Sequence, residues 1–180
     1  GSLSGILGPM VCRFSRHPKG YYLAPGAVVV GDVSIGIDAS FWFASVVRGD
    51  VAPVRIGARV NIQDGAVVHC DSGVENVIED DVVIGHGAIV HGQRVGAGTL
   101  IGMGARVLGR TRIGQGCLIA AGAVVSPKTT VPDGMVVMGG PGKVGRPVRD
   151  EDKTYIEWLA KHYVELAQKY VEQGFVDHTA

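Results

Sequence analysis

Three of the six histidines in this 180-residue chain lie near one another in the sequence, at His69, His86 and His91. Imidazole is a common ligand of first-row metal ions, and three protein ligands leave one coordination position open to water. A catalytic zinc ion needs that open position to generate hydroxide near neutral pH, whereas closed structural sites use four protein ligands. The triplet therefore predicts a catalytic metal site.

The elements that must position these histidines are indicated by an apolar residue that returns at every sixth position. The regular run consists of Val95, Ile101, Val107, Ile113, Ile119, Val125, Val131 and Val137. A helix repeats near 3.6 residues and a half-buried strand near 2, so a six-residue period with intervening glycines predicts a stacked parallel β-helix. Small or β-branched residues four positions later, as at Ala105 and Cys117, predict a second inward position in a tight corner.

The period continues backwards to Leu23, with irregular steps at residues 49–55, 70–77 and 92–94. Such departures from a repeat predict loops or functional sites. His69 follows the inward Val68 and His91 follows the inward Val90, so the two share a phase. If three hexapeptides form one coil, a number taken from the family resemblance described below, both imidazoles stack in one column with Arg48, about 4.8 Å apart. That spacing suits two ligands of one metal ion.

His86 does not share this phase, because it lies two positions after Ile84, near a corner. Within one subunit its side chain is expected to point away from the other two histidines. The three ligands would meet most readily if His86 came from a neighbouring subunit, and a three-sided prism packs readily around a three-fold axis. Gln63 and Asp64 fall on the side that bears His86 and are expected at the same interface. Cys70 is interpreted as structural, since on a strand its side chain points away from that of His69.

The composition excludes several classes of partner. Lys and Arg number 17 and so do Asp and Glu, without a basic run, so neither nucleic acid nor a membrane surface is an expected partner. No apolar stretch approaches the roughly 18 residues that span a bilayer, and the N-terminus lacks a signal pattern, which predicts a cytoplasmic protein. The odd set of cysteines, Cys12, Cys70 and Cys117, predicts reduced thiols.

The chain is predicted to form a β-helix domain over residues 3–148 and a helix over residues 149–174 that packs on it. Asp150 is the predicted N-cap, with Glu151 and Asp152 in the first turn, and Gly174 marks the end. The stripe expected to face the solenoid consists of Ile156, Leu159, Tyr163, Leu166 and Tyr170.

Nearly the whole chain resembles the gamma-class carbonic anhydrases. The matching strings are Arg48-Gly49-Asp50, Asn61-Ile62-Gln63-Asp64, Val68-His69, Ile84-Gly85-His86 and Val90-His91-Gly92. Hexapeptide repeats alone are shared with many acyltransferases, but this ordered constellation is specific. The resemblance implies an all-β solenoid in the form of a left-handed parallel β-helix, a homotrimer, and a metal ion at each subunit interface. The ligands would be His69 and His91 of one chain and His86 of the next, holding Zn²⁺, with Fe²⁺ or Co²⁺ as alternatives.

The resemblance also implies the reversible hydration of carbon dioxide to bicarbonate. Gln63 would orient the hydroxide, Arg48 would hold bicarbonate or an ion-pair partner, and Asp50 and Asp64 would fix that arginine. Two more residues, Asn61 and Tyr163, would support the site. Two alternatives stay open: Arg48, Asp50 and Asp64 form only an interface ion-pair network, and Tyr163 is only a core aromatic.

Two departures from the family pattern concern proton transfer. Val51 stands where well-characterised members carry a glutamate, and residues 70–76 replace a long acidic loop with a proton-shuttling glutamate. Moving a proton from water needs a relay of suitable pKa, and Glu75 is the one candidate in the short segment. Two other functions therefore remain: a hexapeptide-repeat acyltransferase using a CoA donor, and a non-catalytic trimeric assembly subunit.

Overall fold

The computed structural model describes residues 13–175, so Cys12 and residues 3–12 of the predicted β-helix domain lie outside the described part. Its elements, in chain order, are β1 (Ser15–Arg16), β2 (Tyr22–Leu23), β3 (Val28–Ile35), β4 (Ser40–Phe41), β5 (Val46–Ile56), β6 (Asn61–Ile62), β7 (Val67–Val68), β8 (Asn76–Ile78), β9 (Val83–Ile84), β10 (Ile89–Val90), β11 (Arg94–Val95), β12 (Leu100–Ile101), β13 (Arg106–Val107), β14 (Arg112–Ile113), β15 (Leu118–Ile119), β16 (Val124–Val125), β17 (Thr130–Val131), β18 (Met135–Met138), β19 (Lys143–Pro147) and α1 (Asp150–Gln173).

The short strands stack in parallel into a three-faced solenoid. The helix face contains β4, β6, β9, β12, β15 and β18, and the histidine face contains the start of β5 with β7, β10, β13 and β16. The third face contains the end of β5 with β8, β11, β14 and β17. The predicted fold class, a left-handed parallel β-helix of hexapeptide repeats with a C-terminal helix, is confirmed.

The six-residue period forms the core because each face contributes one inward column. On the histidine face Val47 pairs with Val68, and Val68 with Val90, so residues of equal phase lie directly above one another. These valines are fully buried, as are the residues of equal phase on the other faces, such as Ile62 and Ile78. The small residues four positions later are buried too, Ala105 and Cys117 among them. Stacked burial of this kind supplies the main favourable term for a fold whose strands are short.

The irregular step at residues 49–55 is strand rather than loop. Strand β5 runs through this corner and joins the histidine face to the third face, beside the equally continuous β3. Gly49 permits the close approach of the two strands, because a Cβ atom there would lie 2.3 Å from the Asp32 carbonyl oxygen. The chain therefore stays in a strand through residues 49–55, because the backbones of β3 and β5 can pair closely where Gly49 has no side chain.

Helix α1 packs against β4, β6 and β9 of the helix face. Ile156 is buried, and the other four residues of the predicted stripe are partly buried. The predicted N-cap was wrong by one residue: Arg149 is the N-cap, and its backbone N–H donates to the Asp152 carboxylate at 2.9 Å. Asp152 also accepts from Arg146, which ties the start of the helix to the preceding strand. No helix within residues 13–175 combines the length and apolarity that crossing a membrane requires.

Candidate metal centre

His69 and His91 occupy the same position on adjacent coils of the histidine face. Each follows a buried valine of equal phase, and their ring centroids lie 5.2 Å apart. The His69 side chain is 17% exposed and that of His91 is 30% exposed, so both rings can be reached from outside the protomer. The structure thus brings these two predicted ligands together, at a separation close to the spacing of parallel strands.

Each of these rings contacts a carboxylate. His69 Nε2 lies 2.9 Å from Asp50 Oδ1, and His91 Nε2 lies 2.9 Å from Asp71 Oδ1. Arg48 donates to the other oxygen of Asp50, so arginine, aspartate and histidine form a chain along the surface. The hydrogen bond with His69, supported by the charge of Arg48, lowers the pKa of Asp50 below its usual range. Asp50 is therefore an anion that connects the arginine to the first histidine.

Asp71 was not among the predicted site residues. The sequence contains a signal that could have identified it, because residues two apart in an extended segment lie on the same side, and Asp71 is two residues after His69. The intervening Cys70 is buried, and its thiol donates to the Ala52 carbonyl oxygen at 3.2 Å. Desolvation raises the pKa of Cys70, which agrees with its structural interpretation.

His86 lies at the corner that follows β9, away from the column of the other two histidines. Its Nδ1 lies 2.7 Å from Asp64 Oδ2, the residue of equal phase one coil earlier, and its side chain is 45% exposed. Asp64 thus contacts His86, while Arg48 contacts Asp50. Within residues 13–175 of one chain, no three histidine, cysteine or acidic side chains are grouped so that they could hold a metal ion.

Gln63 and Asn61 lie under the helix beside this corner. Gln63 is 3% exposed and its amide nitrogen donates to Asn61 Oδ1 at 3.0 Å. Asn61 Nδ2 is buried, and within the described residues it has no hydrogen-bond partner. An unpaired buried donor is costly, so it marks this pair as more than core packing.

Tyr163 lies where the helix crosses this region. Its ring packs edge-on against Trp42, with centroids 5.1 Å apart. Burial, with a smaller contribution from the Asp64 charge, raises the pKa of Tyr163 to about 12. Tyr163 therefore combines a packing position with proximity to the His86 corner.

Glu75 lies on a different surface. Its Oε1 accepts from Arg55 Nε at 3.0 Å, and Arg55 also donates to Asp32. This arrangement holds the one carboxylate considered as a proton relay in an ion-pair cluster on the third face. Val51 is 45% exposed and carries no titratable group.

The residues present fit a metal ion of the type that three imidazoles bind, provided that two chains contribute. Two rings on one chain stand adjacent, a third stands exposed at a separate corner, and every ring is oriented by a carboxylate. Carboxylate contacts of this kind commonly orient metal-binding histidines. Two chains together can present three imidazole nitrogens to a metal ion, next to the Gln63–Asn61 pair and the Arg48 guanidinium.

Comparisons with known proteins identify hexapeptide-repeat relatives, several of which are named carbonic anhydrases. A family model described as "Bacterial transferase hexapeptide (six repeats)" matches residues 94–127. The protein named "Probable carbonic anhydrase" from Methanocaldococcus jannaschii is 49% identical over 150 residues, which cover 83% of this chain and 94% of that protein.

Two further similarities are informative. "Gamma carbonic anhydrase 2, mitochondrial" from Arabidopsis thaliana is 38% identical over 89% of this chain and 61% of its own length. The crystal structure of a hexapeptide transferase family protein from Anaplasma phagocytophilum has a TM-score of 0.75 at 34% identity, covering 82% of this chain and 91% of that one. The ordered site strings, the stacked hexapeptide coils and these identities together show that the chain belongs to the gamma-class carbonic anhydrase family of hexapeptide-repeat proteins.

Proposed function

We propose that this protein catalyses the reversible hydration of carbon dioxide to bicarbonate at a metal site shared between two subunits. The observation that carries the proposal is the division of the three histidines. His69 and His91 stand 5.2 Å apart on one face, whereas His86 is exposed at a separate corner. One chain therefore offers two of the ligands to a neighbour and the third to another neighbour, as a ring of subunits requires.

A homotrimer would supply that ring. Two large apolar side chains next to the histidines support it, because both are exposed in the single chain. Ile89, two residues before His91, is 37% exposed, and Met103, one coil beyond His86 at the same corner, is 58% exposed. Apolar side chains that flank polar ligands are typical of an interface core that a partner covers.

Each residue then has a role in the reaction. His69, His91 and the neighbour's His86 would hold Zn²⁺, or Fe²⁺ or Co²⁺, and the ion when bound would activate water as a Lewis acid. Gln63 would orient the attacking oxygen through its amide, which Asn61 holds in place. Arg48, held by Asp50, would bind the anionic product, and a guanidinium suits the planar carboxylate-like shape of bicarbonate. Asp64 would orient His86.

The test is stopped-flow carbon dioxide hydration on protein whose metal content has been quantified, after loading with zinc and, anaerobically, with iron. We expect the rate to scale with metal occupancy and His91→Ala to lose both metal and activity. His162→Ala is the matched control, because that residue stacks on Trp158 on the helix and is expected to leave both unchanged. A protein with full metal occupancy that does not hydrate carbon dioxide would rule out carbon dioxide as the substrate of the metal site. Stable metal-free trimers would favour an assembly subunit.

A second candidate function is acyl transfer from a CoA thioester. It is favoured by the transferase description of the matching repeat model and by the structural similarity to a hexapeptide transferase family protein. Such an enzyme would use one histidine as a general base. Saturable binding of CoA, measured by calorimetry, together with acyl transfer that is lost in His91→Ala, would support this function over the first.

A reducing compartment is also proposed. Cys70 and Cys117 are both buried free thiols, and burial raises the pKa of each above its usual range. Neither thiol forms a disulfide within the described residues, and unpaired cysteines are usual in a reducing compartment such as the cytoplasm.

A further inference from the structure

We propose that Asp71 is a positioning residue of the metal site. Its carboxylate holds the His91 ring in the orientation of a metal ligand, and the lack of a side chain at Gly109 leaves the space that this carboxylate needs. The inference rests on the proposed function, because it concerns one of the three proposed ligands. It assigns to the short segment after His69 a role other than proton transfer.

The contact between Asp71 and His91 crosses one coil. Asp71 is two residues after His69 in the sequence, and its Oδ1 lies 2.9 Å from His91 Nε2 on the next coil. Among the described residues, this is the one hydrogen bond that the Asp71 carboxylate makes. The carboxylate is therefore directed at the ring and not at the local backbone.

The backbone around Asp71 is anchored on both sides. Before it, the Cys70 thiol donates to the Ala52 carbonyl oxygen. After it, the Val74 N–H donates to the Asp71 carbonyl oxygen at 3.0 Å, and the Gly73 N–H donates to the Val51 carbonyl oxygen at 3.2 Å. A short turn tied to β5 in this way limits the conformations of Asp71 and lowers the entropic cost of holding the contact.

Gly109, two coils beyond Asp71, leaves the space that the carboxylate occupies. A Cβ atom at Gly109 would lie 2.5 Å from Asp71 Oδ2, and its three nearest atoms all belong to the Asp71 carboxyl group. Any other residue at this position would push the carboxylate away while meeting no backbone atom at such a distance. The pair therefore links a glycine of one coil to the orientation of a histidine on another.

Two other aspartates in the chain lie against glycines in a similar way but serve the backbone. A Cβ atom added at Gly57 would clash with Asp80 Oδ1, which accepts from the Ala58 N–H. A Cβ atom added at Gly114 would clash with Asp133 Oδ1, which accepts from the Gln115 N–H. The Asp71 carboxyl group also lies against a glycine, Gly109, but its Oδ1 contacts the His91 imidazole instead of a backbone N–H. This difference is what distinguishes a positioning role from a turn-stabilising one.

The test compares the zinc affinity of the trimer with that of Asp71→Ala, Asp71→Asn and Gly109→Ala, by competition with a chelating indicator. Loss of a carboxylate that orients a metal-binding histidine typically weakens metal binding about 10- to 100-fold. We expect that loss for Asp71→Ala, the same direction for Gly109→Ala, and an intermediate value for Asp71→Asn, which keeps an oxygen acceptor. The visible spectrum of the Co²⁺ protein should change in Asp71→Ala and in Gly109→Ala, because the geometry of the ligands around the ion changes.

Asp133→Asn and Gly145→Ala are the matched controls. Asp133 holds a backbone N–H, and a Cβ at Gly145 would meet its nearest atom at 3.6 Å, so both variants should keep zinc affinity and the Co²⁺ spectrum. Unchanged or tighter zinc binding by Asp71→Ala would overturn this inference and leave the proposed function standing. A parent protein that binds no metal would overturn both.

Discussion

The rings of His69 and His91 lie 5.2 Å apart because a full coil of the solenoid separates them in sequence and one strand spacing separates them in space. The third proposed ligand, His86, lies at another corner with Asp64. Assembly and catalysis are therefore coupled in the proposed site, and this coupling can be tested directly.

Subunit mixing tests whether the ligands come from two chains. Neither His86→Ala nor His91→Ala alone should retain a complete site. When the two variants are unfolded, mixed in equal amounts and refolded as trimers, about a quarter of the interfaces should combine an intact His86 with an intact His91. We expect about a quarter of the parent metal content and hydration rate. Mixing folded trimers without exchange is the control, and no recovery after verified exchange would contradict a shared site.

Replacing Asn61 with leucine should separate stability from activity. Asn61 is 1% exposed, and its Nδ2 lacks a partner within residues 13–175. Leucine removes one unsatisfied donor, Asn61 Nδ2, and leaves another, Gln63 Nε2, without its acceptor, so we expect the free energy of unfolding to change by no more than about 1 kcal/mol. Hydration should fall about 10-fold or more as Gln63 loses its support. Chemical denaturation and stopped-flow rates measure the two effects, and an unaltered rate would argue against the role of Gln63.

The two roles left open for Tyr163 differ in what substitution does. Its pKa of about 12 keeps the hydroxyl protonated at working pH, and its ring packs on Trp42. We expect a packing role, so Tyr163→Phe should change kcat/KM less than about 3-fold. Tyr163→Ala should lower the unfolding free energy by about 3 kcal/mol. A large loss of kcat/KM in the phenylalanine variant at full metal occupancy would instead assign the hydroxyl to the site.

The ion pair of Glu79 and Arg94 should make stability depend on pH. Glu79 Oε1 accepts from Arg94 Nε at 2.6 Å, and Glu79 Oε2 accepts from the Ala97 N–H at 3.0 Å. These hydrogen bonds, that with Arg94 first, lower the pKa of Glu79 from 4.5. The stabilisation is present above the unfolded pKa of 4.5 and is lost as the pH falls through the lower folded pKa. Glu79→Gln should cost about 1 kcal/mol at pH 7 and less at pH 3, which lies below the unfolded pKa. Equal costs at both pH values would show that the charge contributes nothing.

Gly49→Ala should destabilise the corner where β3 and β5 pair. The added Cβ would lie 2.3 Å from the Asp32 carbonyl oxygen, a backbone atom that cannot move alone. We expect a loss of about 2 to 3 kcal/mol in unfolding free energy. Gly145→Ala, whose Cβ would make only ordinary van der Waals contacts, should cost less than about 1 kcal/mol. Thermal unfolding of the two variants gives the comparison.

Much of this molecule could be predicted from the sequence because the repeat is local. The six-residue period placed Val47, Val68 and Val90 in one buried column, and that placement required only alternation of side chains along each short strand. The shared phase of His69 and His91 followed from the same counting. The irregular residues 49–55 were less predictable: they form strand, because β3 supplies a backbone partner that the period of one segment does not describe.

Which carboxylate meets which imidazole was decided only by the tertiary structure. By itself the sequence determined the inward columns, the phase of each histidine and the family, since all of these depend on residue type and spacing. The contact of Asp71 with His91 depends on a turn anchored to β5 and on space left by Gly109 two coils away. Such contacts join residues whose separation is set by the register of stacked coils, and no local pattern contains that register.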